Sequence, residues 1–202
     1  EITDALTEMG VSLTLIKEDN GGLGLGVLEA CLIAESLGGH VTPARFIGDM
    51  VAGYVLNDAW QAQIASGEAK FALALSGLSG KRDDAGNGRE LFVMDWPGAS
   101  HVLLAQNGKL GILDVGKATP TKLETIDTTR HFYELNFDPS DVQIESDANP
   151  ANALHLARIL TAADSLGAAQ NMLDKAVAYA MERKQFNRVI GSFQAVKHMC
   201  AE

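Results

Sequence analysis

The sequence predicts an α+β protein with a helical N-terminal domain, an antiparallel β middle domain and the start of a C-terminal helical bundle. Apolar residues recur at helical spacing up to about residue 69, alternate in short strand-like runs over residues 70–147, and return to helical spacing over residues 148–202. Because each change of period indicates a change of architecture, we place the domain boundaries at 1–69, 70–147 and 148–202.

The N-terminal domain is predicted to contain a short amphipathic stretch and then three helices, at residues 2–9, 27–39, 46–56 and 59–65. Residues 11–16 alternate as a strand does and precede the glycine-rich turn 21–26. A strand, a glycine-rich turn and a helix can form a dinucleotide-binding site, but the third glycine of that motif would fall at Val27. No βαβ continuation follows either, so the spacing argues against a Rossmann site.

The middle domain is predicted from five strand-like runs that Gly, Asn, Asp and Pro residues separate: 71–75, 90–94, 101–105, 110–113 and 132–137. Short runs at this spacing favour a compact antiparallel sheet. Residues 152–181 then form one long predicted helix. Its many alanines and glycines would let other helices approach closely, as in the core of a bundle.

The composition is that of an ordinary globular protein, with 202 residues of which 47% are hydrophobic and 21% charged. The net charge of −10 argues against a general nucleic-acid binder, because neutralising phosphates needs a basic face. No apolar run approaches the roughly 20 residues that span a bilayer, and no signal-peptide pattern occurs, although the chain begins at Glu1. We therefore expect a cytoplasmic protein that binds neither nucleic acid nor a membrane.

Metal and hydrolase chemistry find no support in the sequence. The five histidines share no metal-ligand spacing, and no Gly-x-Ser-x-Gly elbow occurs, so neither a metal site nor a Ser–His–Asp hydrolase is predicted. Cys31 and Cys200 lie far apart and follow no redox motif, which predicts two buried free thiols.

Residues 178–198 are the stretch that is most informative about function. They predict the end of one helix, a tight turn and the start of a second helix. Asn187 tolerates the left-handed conformation at a helix stop, and Gly191 followed by Ser192 supplies a turn and an N-cap.

Arg183, Gln185 and Phe186 lie on this helix break. A fixed positive fork, an amide and an aromatic ring together suit a phosphate and a flat ring better than they suit a buried core. Spacing alone also allows a helix–turn–helix hairpin with a solvated arginine.

The pattern Arg-Lys-Gln-Phe-x-x-x-Ile-x-x-Phe-Gln-x-x-x-His over residues 183–198 resembles the signature at the start of the C-terminal helical domain of acyl-CoA dehydrogenases. The resemblance implies that Arg183, Gln185 and Phe186 reach an FAD bound mainly by a neighbouring subunit, with Gln194 close to them. It therefore implies a homodimer or tetramer. The family usually has Gly where this chain has Asn187, and the same backbone geometry accepts either residue.

The resemblance covers nearly the whole chain, most strongly at residues 178–198 and 9–38 and least at 76–90. In the N-terminal domain it implies that residues 11–16 are largely irregular and that the following glycines are structural. The chain is thus identified by resemblance as having an acyl-CoA dehydrogenase-like fold.

The middle domain departs from the family pattern after its first strand. Acyl-CoA dehydrogenases usually carry Thr-Glu-Pro-x-x-Gly-Ser-Asp there, whereas residues 76–84 of this chain have no Glu-Pro. Ser76 could still donate one hydroxyl bond at the flavin. Trp96 lies near where the family places residues against the flavin face, although a half-exposed structural tryptophan explains it equally well.

The resemblance also matches Arg158, near the start of the long helix, to an arginine in the substrate-binding region of the family. A surface arginine paired with Asp164 or with a neighbouring helix is the alternative. The catalytic base of most of the family is a Glu in the second half of the helical domain. In a minority it directly precedes the arginine, and here that position is Ala157. No catalytic residue is therefore assigned in this chain.

The implied reaction is the FAD-dependent α,β-dehydrogenation of an acyl-CoA to a trans-2-enoyl-CoA, with electron-transferring flavoprotein as the electron acceptor. We favour the expectation that these 202 residues are the front part of a longer enzyme. The alternatives are a non-catalytic partner subunit that completes a neighbour's FAD site in a hetero-oligomer, and a helical interaction module without flavin. Because a four-helix bundle cannot close with the predicted helices, we also expect exposed apolar surface.

Overall fold

The computed structural model describes residues 2–78, 87–145 and 148–201. The helices are α1 Ile2–Glu8, α2 Val27–Gly39, α3 Ile47–Val55, α4 Asp58–Ser66, α5 Leu75–Leu78, α6 Pro150–Glu182 and α7 Gln194–Ala201. The strands are β1 Phe71–Ala74, β2 Arg89–Met94, β3 His101–Gln106, β4 Lys109–Asp114, β5 Ala118–Lys122, β6 Tyr133–Phe137, β7 Gln143–Glu145, β8 Lys184–Gln185 and β9 Arg188–Val189. The predicted α+β class and the order of helices, sheet and helices are confirmed.

Strands β1 to β7 form one sheet in the order β5-β6-β2-β1-β3-β4-β7. Its pairs are antiparallel except that β1 and β3 run parallel, with Phe71 opposite His101, so the fully antiparallel prediction is wrong at this pair. The connection explains the exception, because β2 returns along one side of β1 and the short turn 95–100 carries the chain to the other side. Strands β5 and β7 were not predicted, since β5 is mostly exposed and contains Pro120 and β7 is three residues long.

Both faces of the sheet are covered, which is why β1 reads as a continuous apolar run. Phe71 and Leu73 pack in a core with the helices, whereas Ala72 and Ala74 belong to a second core on the opposite face. This arrangement fixes the sheet between two apolar layers.

Residues 11–16 do not form the strand that their alternation predicts. Residues 11–13 form a 3₁₀ turn, and the amide of Leu23 donates to the carbonyl of Leu13 as the glycine-rich segment folds back on this stretch. A Cβ at Gly22 would lie 2.2 Å from the carbonyl oxygen of Ile16, so only glycine permits this approach. The irregular backbone and structural glycine that the resemblance implied are therefore confirmed here.

Helix α6 begins at a proline preceded by Asn149, whose side chain accepts a hydrogen bond from the amide of Ala151. It crosses α2 at two glycines: a Cβ at Gly38 would lie 1.9 Å from the carbonyl oxygen of Asp164, and one at Gly167 would lie 1.8 Å from that of Glu35. The close helix approach predicted from the small residues is confirmed.

The side of α6 that faces away from the core is also apolar. It exposes large side chains at seven- and four-residue spacing, namely Ile159, Leu166, Leu173 and Val177. The expected exposed apolar surface is therefore confirmed. We call these four residues the outer stripe of α6.

The chain after α6 forms a small hairpin, in which β8 and β9 are joined by a two-residue turn, rather than a plain turn. Phe186 and Asn187 both have positive φ, 52° and 62°, which confirms the left-handed conformation expected at Asn187. The predicted N-cap is wrong, because the hydroxyl of Ser192 donates to the carbonyl of Val189 and α7 begins only at Gln194.

Cys31 and Cys200 are free, as expected, but half-buried rather than buried. No helix in the described part of the chain is both long and apolar enough to cross a membrane.

Candidate functional site

Three of the predicted site residues lie together on one exposed projection, which we call the arm and define as residues 183–193. The arm starts where α6 ends, and the amide of Ile190 donates to the carbonyl of Arg183 at 2.8 Å to close it. Arg183 and Gln185 are exposed, and the side chain of Phe186 is 87% exposed at the tip. An aromatic ring held out in water at this level indicates a contact surface rather than a core position.

The conformation of the arm follows from its sequence. Strands β8 and β9 pair Gln185 with Arg188, which leaves Phe186 and Asn187 as the two central residues of the turn. Positive φ at both central residues is what a type I′ hairpin turn requires, and Asn is among the residues that accept it. Phe186 is not one of the residues that favour this conformation. A left-handed backbone costs a residue of its kind about 1–2 kcal/mol.

The arm is basic although the chain as a whole is acidic. Residues 183–193 contain Arg183, Lys184 and Arg188 and no carboxylate, against a net charge of −10 for the whole chain. Within the described part of the chain, the guanidinium of Arg183 makes no hydrogen bond or ion pair. Among the described residues, the side-chain amide of Gln185 donates only to the neighbouring carbonyl of Lys184.

This donor set fits the phosphates and flat rings of a dinucleotide such as FAD. Arg183 offers a planar fork that matches phosphate oxygens, Gln185 adds an amide, and Phe186 offers a ring for stacking. Gln194 is exposed at the first position of α7, directly after the arm. Four of the predicted residues thus lie on or next to the same projection.

Ser76 and Trp96 lie in the β domain. The hydroxyl of Ser76 donates to the Glu90 carboxylate and accepts from the amide of Leu91 at 3.1 Å, so its own chain already engages it. Trp96 is half-buried, with its ring centre 6.1 Å from that of Tyr133. A structural role accounts for both residues, and their flavin contacts stay predictions.

Most of the loop that departs from the family pattern, at residues 79–86, lies outside the described residues. At the bulge of β2, Phe92 has a φ of 56° and is more than half exposed. The sequence reasoning missed this ring, because it sits inside an ordinary strand-like run. Only the bulge turns it outward.

Arg158 is exposed on α6 and makes no hydrogen bond or ion pair within the described residues. Its alternative pairing with Asp164 is wrong. Arg130 holds that carboxylate through two bonds, at 2.5 and 2.7 Å. Arg158 does not reach it, because the six-residue step from position 158 to 164 leads to a different face of the helix. Position 157 carries no carboxylate, because it is an alanine, and it is buried in the core.

A buried ion pair that the sequence reasoning missed joins the helices to the sheet. Arg45 donates to Asp49 at 2.5 Å, and Asp49 also accepts the amide of Phe71 at 2.6 Å. Burial raises the pKa of Asp49 from 3.8 to about 6, outweighing the attraction of Arg45. Arg45 precedes α3 and Asp49 lies in its first turn, so the two are close in sequence, but nothing in the local sequence indicates that the pair is buried.

Asp95 supplies the N-cap that α3 lacks in its own sequence. Its carboxylate accepts the amides of Gly48 at 3.0 Å and Phe46 at 3.3 Å. Burial raises the pKa of Asp95, while these bonds oppose the rise. Together with Arg45 and Arg130 it lines a cavity of about 100 Å³. Arg45 and Arg130 are ion-paired with Asp49 and Asp164, and Asp95 accepts the two backbone amides, which supports a structural role for these charges.

No group of three or more His, Cys, Asp or Glu side chains among residues 2–78, 87–145 and 148–201 is arranged to hold a metal ion.

Comparisons with known proteins give the same fold and family. Residues 149–202 match a family model described as the acyl-CoA dehydrogenase C-terminal domain. The chain is 30% identical over 201 residues to acyl-CoA dehydrogenase IpdE2 of Mycobacterium tuberculosis, covering 96% of this chain and 57% of that protein.

Two solved structures are similar over nearly the whole chain. A variant of the Tcur3481–Tcur3483 steroid ACAD has a TM-score of 0.81 at 26% identity, covering 97% of this chain and 61% of that one. The ChsE4–ChsE5 complex from Mycobacterium tuberculosis has a TM-score of 0.79 at 22% identity, covering 98% and 62%. The chain thus spans between 57% and 62% of the length of these relatives.

Proposed function

Because the chain belongs to the acyl-CoA dehydrogenase family, we propose that it takes part in the FAD-dependent α,β-dehydrogenation of an acyl-CoA thioester to a trans-2-enoyl-CoA. The observation that carries the proposal is the arm, where an unpaired guanidinium, an amide and an exposed ring project together from the end of α6. A group of this kind has no role in its own core and suits a ligand held elsewhere.

In this proposal the arm binds an FAD that is held mainly by a second subunit. Arg183 contacts the phosphates, Phe186 packs against a flat ring, and Gln185 with Gln194 supplies hydrogen bonds. Ser76 and Trp96 contact the FAD of their own subunit from the β domain. The chemistry that FAD supplies when bound is the acceptance of a hydride from the acyl β-carbon. The assembly is then a homodimer or tetramer.

Arg158 is proposed to lie near the acyl-CoA thioester, where its free guanidinium would orient the substrate. Proton removal from the α-carbon needs a carboxylate in a site that excludes water. Since no such residue is assigned here, we propose that the base comes from helices outside these 202 residues. The outer stripe of α6 offers those helices an apolar surface to cover.

The visible absorption spectrum of the full-length protein tests this proposal. We expect a flavin band that bleaches anaerobically when a matching acyl-CoA is added, from a panel that includes a short straight-chain thioester and a steroid-derived one. Arg183→Ala should release FAD more readily than the unchanged protein does. A protein that stays colourless with added FAD would refute the cofactor assignment.

The second candidate is a non-catalytic subunit that completes a partner's FAD site. The names of the two structural neighbours favour it, because each describes a pair of proteins, Tcur3481–Tcur3483 and ChsE4–ChsE5. A flavin band that no thioester bleaches until a second chain is co-expressed would support this role. Electron-transferring flavoprotein is the proposed electron acceptor, and its reduction in a coupled assay tests that step.

A further inference from the structure

Phe186 keeps a strained and exposed conformation that burial does not support. Its φ is 52°, and 87% of the residue surface is open to water. A left-handed non-glycine residue persists only where its surroundings hold it there. The contacts that hold the tip of the arm therefore matter to whatever the tip binds.

Those contacts converge on one ring, that of Phe193. The ring of Phe186 meets it edge to face, with centroids 6.1 Å apart at 83°. The guanidinium carbon of Arg188 lies 3.9 Å from its centroid, well within cation–π range. Arg188 also pairs with Gln185 across the hairpin through the backbone, which places it directly beside the two turn residues at the tip.

The two arginines of the arm thus differ in what they contact. The guanidinium of Arg183 contacts no described partner, whereas that of Arg188 is committed to the ring of Phe193. A planar guanidinium stacked on an aromatic ring is oriented by that ring and is less available to a separate anion.

We propose that Arg188 is a positioning residue for FAD, which acts through Phe193 to hold Phe186 in its binding conformation. This inference rests on the proposed function of the arm. Its physical basis is preorganisation: a tip that is already ordered loses less freedom when it meets the ligand. A residue that touched phosphate itself would act independently of the tip ring.

A double-mutant cycle on the full-length protein separates these roles, with the FAD dissociation constant read from flavin fluorescence during titration of the apoprotein. Arg188→Leu is expected to weaken FAD binding about three- to ten-fold, the combined scale of the cation–π and ring contacts. In a Phe186→Leu background the same change should alter binding less than about two-fold, because the group it positions is gone.

Two further variants sharpen the test. Arg188→Lys keeps a cation over the ring and should retain most of the affinity, and Phe193→Leu should reproduce the loss of Arg188→Leu. Lys175→Leu is the matched control: it removes the same charge from the exposed surface of α6 outside the arm, and Lys175 has no ring contact among the described residues. We expect it to leave the affinity within about two-fold of the unchanged protein.

An equal loss on Arg188→Leu with and without the ring of Phe186 would overturn the inference, because it would indicate a direct ligand contact. No loss from Arg188→Leu, while Phe186→Leu weakens binding, would overturn it too. Both results leave the proposed function of the arm intact. If neither Arg183→Ala nor Phe186→Leu changes FAD binding, the proposed function of the arm fails, and the inference fails with it.

Discussion

Replacement by alanine is predicted to have opposite effects on stability at two neighbouring glycines of α2. A Cβ at Gly38 would lie 1.9 Å from the carbonyl oxygen of Asp164, far inside any real contact. A Cβ at Gly39 would lie 3.5 Å from the carbonyl oxygen of Gly167, an ordinary van der Waals distance. Both glycines lie in the last turn of the same helix, so Gly39→Ala is a matched control for Gly38→Ala.

The magnitudes follow from two opposing terms. Replacing glycine by alanine within a helix stabilises it by up to about 1 kcal/mol. At Gly38 the new methyl group meets the backbone of α6, which cannot turn aside as a flexible side chain can, and overpacking of this kind costs about 3 kcal/mol or more. We therefore expect Gly38→Ala to lower the free energy of unfolding by about 2 kcal/mol, and Gly39→Ala to leave it unchanged or raise it by up to about 1 kcal/mol.

Urea unfolding followed by circular dichroism at the helix band measures this difference. For a slope of about 2 kcal/mol per molar urea, the two variants should differ by about 1 M or more in midpoint, with the slope unchanged. Equal midpoints for the two variants would refute the argument, since they would mean that α2 and α6 do not cross at Gly38.

Three other predictions concern the buried charges. Arg130→Met should lower the free energy of unfolding by about 3 kcal/mol in urea titrations, because it leaves the carboxylate of Asp164 buried without its cation. Asp95→Ala should cost about 2 kcal/mol by removing the cap of α3, and Asp95→Asn, which keeps an acceptor, should cost less than half of that in the same assay. Between pH 4 and 6 the folded protein holds the proton of Asp49 more tightly than the unfolded chain does, so this group's contribution to stability is complete below pH 4 and is lost as the pH rises. The loss should reach about 3 kcal/mol at neutral pH. The measurement is the difference in stability between the unchanged protein and Asp49→Asn at each pH. A difference that does not change with pH would mean that the pKa of Asp49 is not raised.

Periodicity predicted the elements that bury one consistent face. Helix α2 and the core strands were found within one or two residues because their apolar spacing reports the burial directly. Periodicity failed where contacts with distant parts of the chain, or a position at the sheet edge, determine the structure. Residues 11–16 alternate like a strand, but their backbone bonds go to a tight turn and to the glycine-rich segment, whose approach depends on Gly22. Strand β5 shows no apolar period, since it lies at the sheet edge and faces water.

The residues of the candidate site also divide into those that a local motif predicts and those that depend on contacts between distant parts of the chain. Arg183, Gln185 and Phe186 are close in sequence, so a local motif was enough to place them on one projection. The charges around α3 escaped notice, because Asp95 reaches the amides of Phe46 and Gly48 across almost fifty residues of chain. No local pattern encodes such a contact, and the resemblance to a family supplied roles only where its motifs matched.

The crossing of α2 and α6 also bears on the arm, because α6 joins the two. From Gly167 to Glu182 the helix rises about 22 Å, at 1.5 Å for each residue. A tilt of about 5° at the crossing would therefore move the base of the arm by about 2 Å, a displacement large enough to misplace ligand contacts. Gly38→Ala should then weaken FAD binding more than Gly39→Ala does, under conditions where both variants are fully folded. Equal affinities would refute this coupling, because they would mean that the crossing does not determine where the arm lies.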